Sequence, residues 1–520
     1  LQNDYAKFIR FGQWRIEQTG SGVLAFITDN SYLDGLIFRG MRQQLMQTFT
    51  DIYVLDLHGN SKRGEIAPDG GKDENVFDIT QGVSIVFFIK VSDSDQDVAT
   101  VYHYDLYGKR TDKYSWLNQH NISDSDWQII NPTSPYYFFV SRNVDFEREY
   151  IDLSRINDAM PINSASIVTG QDRTVISIDS DDIKNLAEAG SIEAKYIQPI
   201  RYRLFDTRYV LYHKDYVTRM RTDVMQHMVA GSELALICTR QQSQDTGWSL
   251  VGVSDMLTES CYISNKTREI NYLIPLYVYP EKKTGQLFEL DDDGSDFPLS
   301  EKGRRPNLSK AFVDEMVAKL GLKFETEGSA WATPPPSPLP ASQGGGTAQP
   351  NWFGPEDVFY YAYAVFHSPT YRERYAEFLK IDFPRLPLTS DLGLFKVLVK
   401  LGAELVGLHL MTSPKLSNYI TTFEVDGDNT IPARGGYPKY DEKHERVSIN
   451  KTQYFGGVPD HIWTFHIGGY QVLHKWLKDR RGRELSYDDL THYQQIVVAL
   501  SETDRIMTAI DDAIPAFPIE

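Results

Sequence analysis

Over its first 90 residues the chain alternates helix-period stripes with short apolar runs, and this restricts the segment to an open sheet layered with helices. Tyr5, Phe8, Ile9, Gly12 and Ile16 fall at helical spacing, so one stripe is expected to pack on a sheet. A Gly-Ser-Gly turn leads into Val23-Leu24-Ala25-Phe26-Ile27, a continuous apolar run that fits a strand covered on both faces in a largely parallel sheet. Phe38, Met41, Leu45 and Phe49 mark the next helix, Ile52 to Leu57 a second strand and Val83 to Ile89 a third, giving the order strand, crossover, strand, hairpin. The polar residues Asn30, Ser31 and Tyr32 are expected just beyond the carboxyl end of the first strand, the edge at which open α/β sheets bind their ligands.

At 520 residues the chain is too long for a single core, and about two to four domains are expected. No apolar run approaches the roughly 20 residues a membrane span requires, so no membrane partner is expected. Cys238 and Cys261 are the only cysteines, with no Cys-x-x-Cys and no His pair at ligand spacing. The expectation is therefore no metal site and a reducing, cytoplasmic setting. Trp331 to Asn351, which carries Pro334-Pro335-Pro336 and Gly344-Gly345-Gly346 and no charge, reads as a flexible insertion. Beyond it, Pro355-Glu356-Asp357 opens a helix with Val358, Tyr361 and Val365 on one stripe, and Leu394, Leu398, Leu401, Leu405 and Leu408 mark another.

The net charge of −18 argues against binding a polyanion over the whole surface, since DNA affinity rests on cations set against phosphates. Charge is nevertheless uneven. From Arg201 to Arg240 seven Lys/Arg face four acids, and from Gln471 to Arg483 five face Asp479 alone. Two basic islands on an acidic chain suit a DNA-facing cleft; ordinary solvated charge is the alternative.

Two stretches, Gly22 to Leu33 and Asn75-Val76-Phe77-Asp78-Ile79 running into Gly82 to Phe88, resemble the late sheet motifs of N6-adenine DNA methyltransferases, specifically the type ISP single-chain restriction-modification enzymes. Leu204 to Tyr209, together with Phe383 to Leu388 and its following helix, resembles the target-recognition region of the same enzymes and, more distantly, type I specificity subunits. The resemblance implies an α/β fold, a partial Rossmann-like class I methyltransferase sheet over residues 1–115, followed by a mixed α+β target-recognition domain. That domain would occupy 116–330 and 352–520, on either side of the insertion at 331–351. The family's Asn/Asp-Pro-Pro-Tyr/Phe loop and its Gly-rich loop for S-adenosylmethionine are both absent here. The chain is accordingly expected to be a C-terminal part, cut just after the catalytic loop, that binds double-stranded DNA at best and does not methylate alone. ATP and Mg would serve only the parent enzyme, through N-terminal translocase and nuclease domains that no residue here encodes.

The implied chemistry is methyl transfer to adenine N6 on a base rotated out of the duplex. Phe77 matches the aromatic that precedes the last strands of the methyltransferase sheet and is the candidate face for that base; its alternative is a core side chain anchoring a hairpin. Asn30, Ser31 and Tyr32 either line the same pocket or contact DNA, or else cap the helix that follows. In the loop from His58 to Asn75, the donors Asn60, Lys62, Arg63 and Lys72 suit phosphates and base edges. Arg240, Gln241 and Gln242 follow an apolar strand, and Arg and Gln are the side chains that pair bidentately with guanine and adenine. Lys266, Arg268, Lys475, Lys478, Arg480 and Arg481 are expected to contact phosphate. A nuclease drawn from Pro68-Asp69 and Glu193-Ala194-Lys195 is disfavoured by the separation of its parts, and no phosphate loop occurs. The main alternative is a stand-alone DNA-binding specificity subunit without catalysis.

Overall fold

The structure is a computed structural model that describes residues 3–61, 65–92, 94, 96–141, 146–243, 247–265, 269–280, 296–332 and 350–519. Two compact units emerge: residues 1–145 with 243–246, and residues 146–242 with 247–520.

Unit 1 is built on a five-stranded sheet of β1 (Gly22–Asp29), β2 (Asp51–Asp56), β3 (Val83–Lys90), β4 (Thr100–Asp105) and β5 (Gln128–Ile130), in the order β1-β3-β2-β4-β5. Only β2 and β4 pair in parallel; β3 runs antiparallel to both β1 and β2. This corrects the expectation of a largely parallel sheet covered on both faces. β1 is an edge strand whose exposure alternates, with Val23 62% and Ile27 45% exposed. An apolar run specifies a strand but carries no information about the direction of its neighbour.

One face of the sheet packs Ile52, Val54, Val86, Phe88 and Val101 with helices α1 (Asp4–Thr19) and α3 (Arg39–Thr48). The short α2 (Ser31–Asp34) follows β1 directly, and Asn30 at its N-cap makes no side-chain capping bond. The buried stripe of α1 is Ala6, Ile9, Gln13 and Ile16, rotated from the predicted one, and Tyr5, Phe8, Phe11 and Trp14 are exposed. Gly12 lies against the Leu24 side chain, where a Cβ would stand 2.5 Å from Leu24 Cδ1. On the opposite face, Leu55, Leu57, Val83 and Leu106 meet Trp116 and Leu117 of α4 (Arg110–Gln119). The unit extends past the expected boundary at 115 because β5 adds to the sheet edge and Phe139 is fully buried in the first core.

Unit 2 contains two four-stranded sheets. In one, Leu257–Thr258, Ile197–Arg203, Asp206–Leu211 and Ile176–Ser177 lie side by side; in the other, Val251–Ser254, Ala235–Thr239, Asn271–Pro275 and Ser164–Ala165. The two predicted helices are present as Pro355–His367 and Leu392–His409, and they pack together with a third, Tyr487–Ala513. Residues from both sides of the 331–351 insertion share one core, so the two predicted parts fold as a single unit. Of the insertion itself, 333–349 lie outside the described residues, while Trp331 packs edge-on to Phe395 and Lys323–Phe324 pairs with Trp352–Phe353. Among the described residues no helix is long and apolar enough to cross a membrane.

Candidate functional site

The carboxyl ends of β1, β2 and β4 gather the polar residues of unit 1. Asn30 ends β1 with its Nδ2 donating to Asp56 Oδ1 at 3.0 Å, and its backbone N–H donates to the Gly82 carbonyl. A Cβ on Gly82 would come within 2.7 Å of Asn30 Nδ2, so only glycine leaves room for this contact. Ser31 donates to Asp29 from both backbone and hydroxyl, and Tyr32 is buried with its hydroxyl 3.4 Å from Ser84 Oγ. Asn30 and Tyr32 thus hold the β1–α2 junction from within.

A buried ion pair braces the described part of the loop between β2 and β3. Lys113, with no exposed surface, donates to Asp73 Oδ1 and to the carbonyls of Leu57 and Glu74, each at 2.7 Å. Asp73 in turn accepts from the backbone N–H groups of Gly59 and Gly108. Gly59, at φ 82°, lies so close to Asn75 that a Cβ would stand 2.4 Å from its Cα. Asn75 bonds the carbonyls of Gly59 and Gln81 and accepts from the Phe77 N–H, while Arg110 donates to the carbonyls of Asn75 and Phe77. The backbone around Phe77 is therefore fixed from several directions while its ring remains 43% exposed. Being exposed, the ring is no core anchor. Nothing in the local sequence marks Lys113, Asp73 and Arg110 as its supports, because their partners are backbone carbonyls and amides.

Beside this loop lies a cluster of acids and imidazoles. His58 Nε2 is 2.8 Å from Asp105 Oδ1 and its Nδ1 is 3.6 Å from Glu65, with the ring stacked on Tyr107 at 3.8 Å. Burial pulls the His58 pKa down, but Asp56, Asp105 and Glu65 outweigh it and push it up to about 10. Asp56 shifts up because burial dominates; Asp105 shifts down because the His58 hydrogen bond and charge outweigh its desolvation. His103 is buried and its pKa is lowered, chiefly by burial. Asp56, His103 and Asp105 each turn one potential ligand atom toward the others, all within 4.8 Å.

In unit 2 the basic islands are partly neutralised from within. Arg480 is buried, donating to Asp206 Oδ1 at 3.1 Å and lying 3.5 Å above the Trp476 ring. Arg208 shares Asp206 at 2.7 Å, and Arg201 and Arg203 pair with Asp255 and Glu259. Trp476, Arg480, Phe205 and His492 line a cleft of about 420 Å³.

The model of the Type ISP C-terminal specificity domain matches residues 139–509. The chain belongs to this family. Three solved structures share its fold. "ATP-dependent Type ISP restriction-modification enzyme LlaBIII bound to DNA" is 19% identical at a TM-score of 0.70, over 99% of this chain and 34% of that one. A DrdV–DNA complex is 18% identical at 0.70, over 97% and 52%. A nuclease-deletion mutant of the Type ISP enzyme LlaGI with a DNA substrate mimic is 16% identical at 0.66, over 99% and 41%. This chain therefore spans about a third to a half of the length of those proteins. No curated protein matches it.

Within the Type ISP specificity domain, the remaining predicted contacts divide by exposure. Arg240 is half exposed, 3.7 Å from Asp382; Gln241 is half-buried beside it, and the Gln242 backbone N–H bonds the Lys380 carbonyl. Lys475 pairs with Asp479, and Arg481 donates to the Tyr437 carbonyl. Lys478, Arg483, Lys214 and Arg219 are exposed, with no ion-pair partner among the described residues. The guanidinium of Arg480, expected at a phosphate, faces Asp206, Asp489 and Trp476 rather than solvent in this structure. Charge counting within the island does not show these partners, because Asp206 and Asp489 come from outside it. In unit 1, Lys72 is exposed and pairs with Glu74, and the Asn60 backbone N–H donates to Glu65. Lys62, Arg63, Lys266 and Arg268 lie outside the described residues.

Proposed function

We propose that the chain is the DNA-recognising C-terminal segment of a cytoplasmic Type ISP restriction-modification enzyme, and that unit 1 is the back part of its N6-adenine methyltransferase. The specificity-domain match over 139–509, almost all of it in unit 2, carries this reading. The fold shared with DNA complexes of Type ISP enzymes supports double-stranded DNA as the partner.

For unit 1 the support is the strand order. β1 and β2 point the same way with β3 reversed between them, in line with the strand, crossover, strand, hairpin order of a partial Rossmann-like methyltransferase sheet. S-adenosylmethionine would supply the methyl group. Among the described residues no Gly-rich loop joins a strand to a helix at the edge of the unit 1 sheet, so the residues present do not fit it. What this chain offers is a face for the extruded adenine. Extrusion costs a few kcal/mol, and an aromatic such as Phe77 recovers about 1–3 kcal/mol by stacking. A stand-alone specificity subunit would leave the rigidly held, exposed Phe77 without a use.

The test is selection of a randomised duplex pool on the purified chain at moderate salt, followed by sequencing. An enriched, asymmetric motif containing adenine is expected. Folded protein that enriches no motif, alone or joined to a complete methyltransferase front half, would sink the reading.

A further inference from the structure

We propose that unit 1 binds one divalent transition-metal ion between Asp56, His103 and Asp105. β2 and β4 lie side by side in parallel. The parallel register sets Asp56 directly opposite Asp105 and Val54 opposite His103. Side chains two apart on a strand share a face, so both carboxylates and the His103 imidazole project to the same side. Two carboxylates side by side on a partly buried sheet edge repel each other unless a cation lies between them.

His58 meets part of that demand through Asp105 Oδ1, but His103 is unexplained by it. Its ring is 1% exposed, and neither ring nitrogen has a hydrogen-bond partner. Its Nδ1 points at Asp105 Oδ2 across 3.5 Å, which is long for a charge-assisted hydrogen bond. It is close to the spacing of two ligands on a shared ion. Donors about 2.1 Å from one metal stand about 3.0–3.4 Å apart in octahedral or tetrahedral geometry. An ion would use the His103 lone pair and neutralise the facing carboxylates at once.

The surrounding bonds are those of an outer ligand shell. Asn30 Nδ2 and the His58 backbone N–H both hold Asp56 Oδ1, leaving Oδ2 4.0 Å from His58 Nδ1, and His58 Nε2 orients Asp105. Such partners fix ligand carboxylates and raise affinity. Asp105 has a side chain 35% exposed, which provides a path from solvent. One imidazole with two carboxylates, and no thiolate, suits Zn²⁺ or Mn²⁺ rather than Ca²⁺ or Cu⁺. Bound there, the ion would tie β2 to β4 at the root of the loop that carries Phe77. The proposal is independent of methyl transfer and of DNA binding.

To test it, the purified chain is stripped with a chelator and titrated calorimetrically with Zn²⁺ and with Mn²⁺, and its metal content is measured after dialysis. Saturable binding of one ion per chain is expected. His103→Leu should weaken it by roughly 100-fold or more, and Asp105→Asn by at least about 10-fold. Asp105→Asn alters a partly exposed side chain, so it keeps the test alive should His103→Leu fail to fold. The proposal is overturned if neither ion binds saturably, or if a folded variant binds as tightly as the parent chain.

Discussion

At the scale of single residues, the two most consequential side chains are opposites in exposure. Phe77 is held by backbone bonds from Asn75 and Arg110 yet presents its ring to solvent, which is what a stacking face requires. In a chain joined to a complete methyltransferase front half, Phe77→Ala should reduce the fluorescence change of 2-aminopurine placed at the target adenine while leaving duplex affinity within a few-fold. Phe77→Trp should restore it; equal loss of affinity and signal would remove the stacking role. Arg480 is the reverse, a cation turned inward. Burial raises the Asp206 pKa, but Arg480 and Arg208 outweigh it and hold the carboxylate below its ordinary value. A depressed carboxylate contributes stability above the unfolded value of about 3.9 and loses it as pH falls through the lower folded value. Arg480→Ala should therefore cost about 3–5 kcal/mol at neutral pH, as expected when one partner of a buried pair is removed. The deficit should shrink below about pH 4, where Asp206 protonates more readily; chemical denaturation at pH 7 and pH 3.5 reads both effects. Neither arrangement was fully legible in sequence. Phe77 stood out through its motif, but the inward turn of Arg480 depends on Asp206, some 270 positions away.

At the scale of elements, strong periodicity was legible and strand direction was not. The stripe of Val358, Tyr361 and Val365 and the leucines from Leu394 to Leu408 became the paired helices of unit 2 almost as written. Long apolar stripes have one way to be buried, so their spacing is informative. The α1 stripe was harder to place because Phe8, Phe11 and Trp14 make that helix apolar on more than one side, and the sheet took the face of Ala6, Ile9 and Ile16. The Asp56, His103 and Asp105 cluster had no readable spacing, because a parallel strand pair, not a sequence motif, brings its members together. Helix approach in unit 2 depends on one small residue. A Cβ on Gly402 would stand 1.9 Å from the Tyr360 carbonyl oxygen, so the helices at 355–367 and 392–409 meet backbone to backbone. Gly402→Val should force them apart at a cost of about 1–3 kcal/mol or more, lowering the melting temperature of unit 2. An unchanged melting curve would mean that the helix pair has slack to absorb the methyls.

At the scale of the whole molecule, charge decides how DNA can be held. With a net charge of −18, and with Arg201, Arg203, Arg208 and Arg480 committed to internal acids, the two basic islands leave few of their cations facing solvent. Lys478 and Arg483 remain exposed, as do Lys214 and Arg219. Affinity that these islands alone draw from phosphates depends only moderately on salt, because each neutralised phosphate releases about 0.9 of a counterion. Lys478→Ala with Arg483→Ala should thus flatten the slope of log K against log salt by up to about 1.8, with little change in folding. Arg480→Ala should behave differently: the active fraction of protein falls, but the slope of what still binds stays that of the parent chain. Measuring the slope by fluorescence anisotropy between 50 and 200 mM salt, roughly the range over which such binding responds, separates the two. If Arg480→Ala flattened the slope and the Lys478 and Arg483 pair did not, the inward placement of Arg480 would not describe the DNA-bound molecule, and the exposed cations would lie away from the duplex.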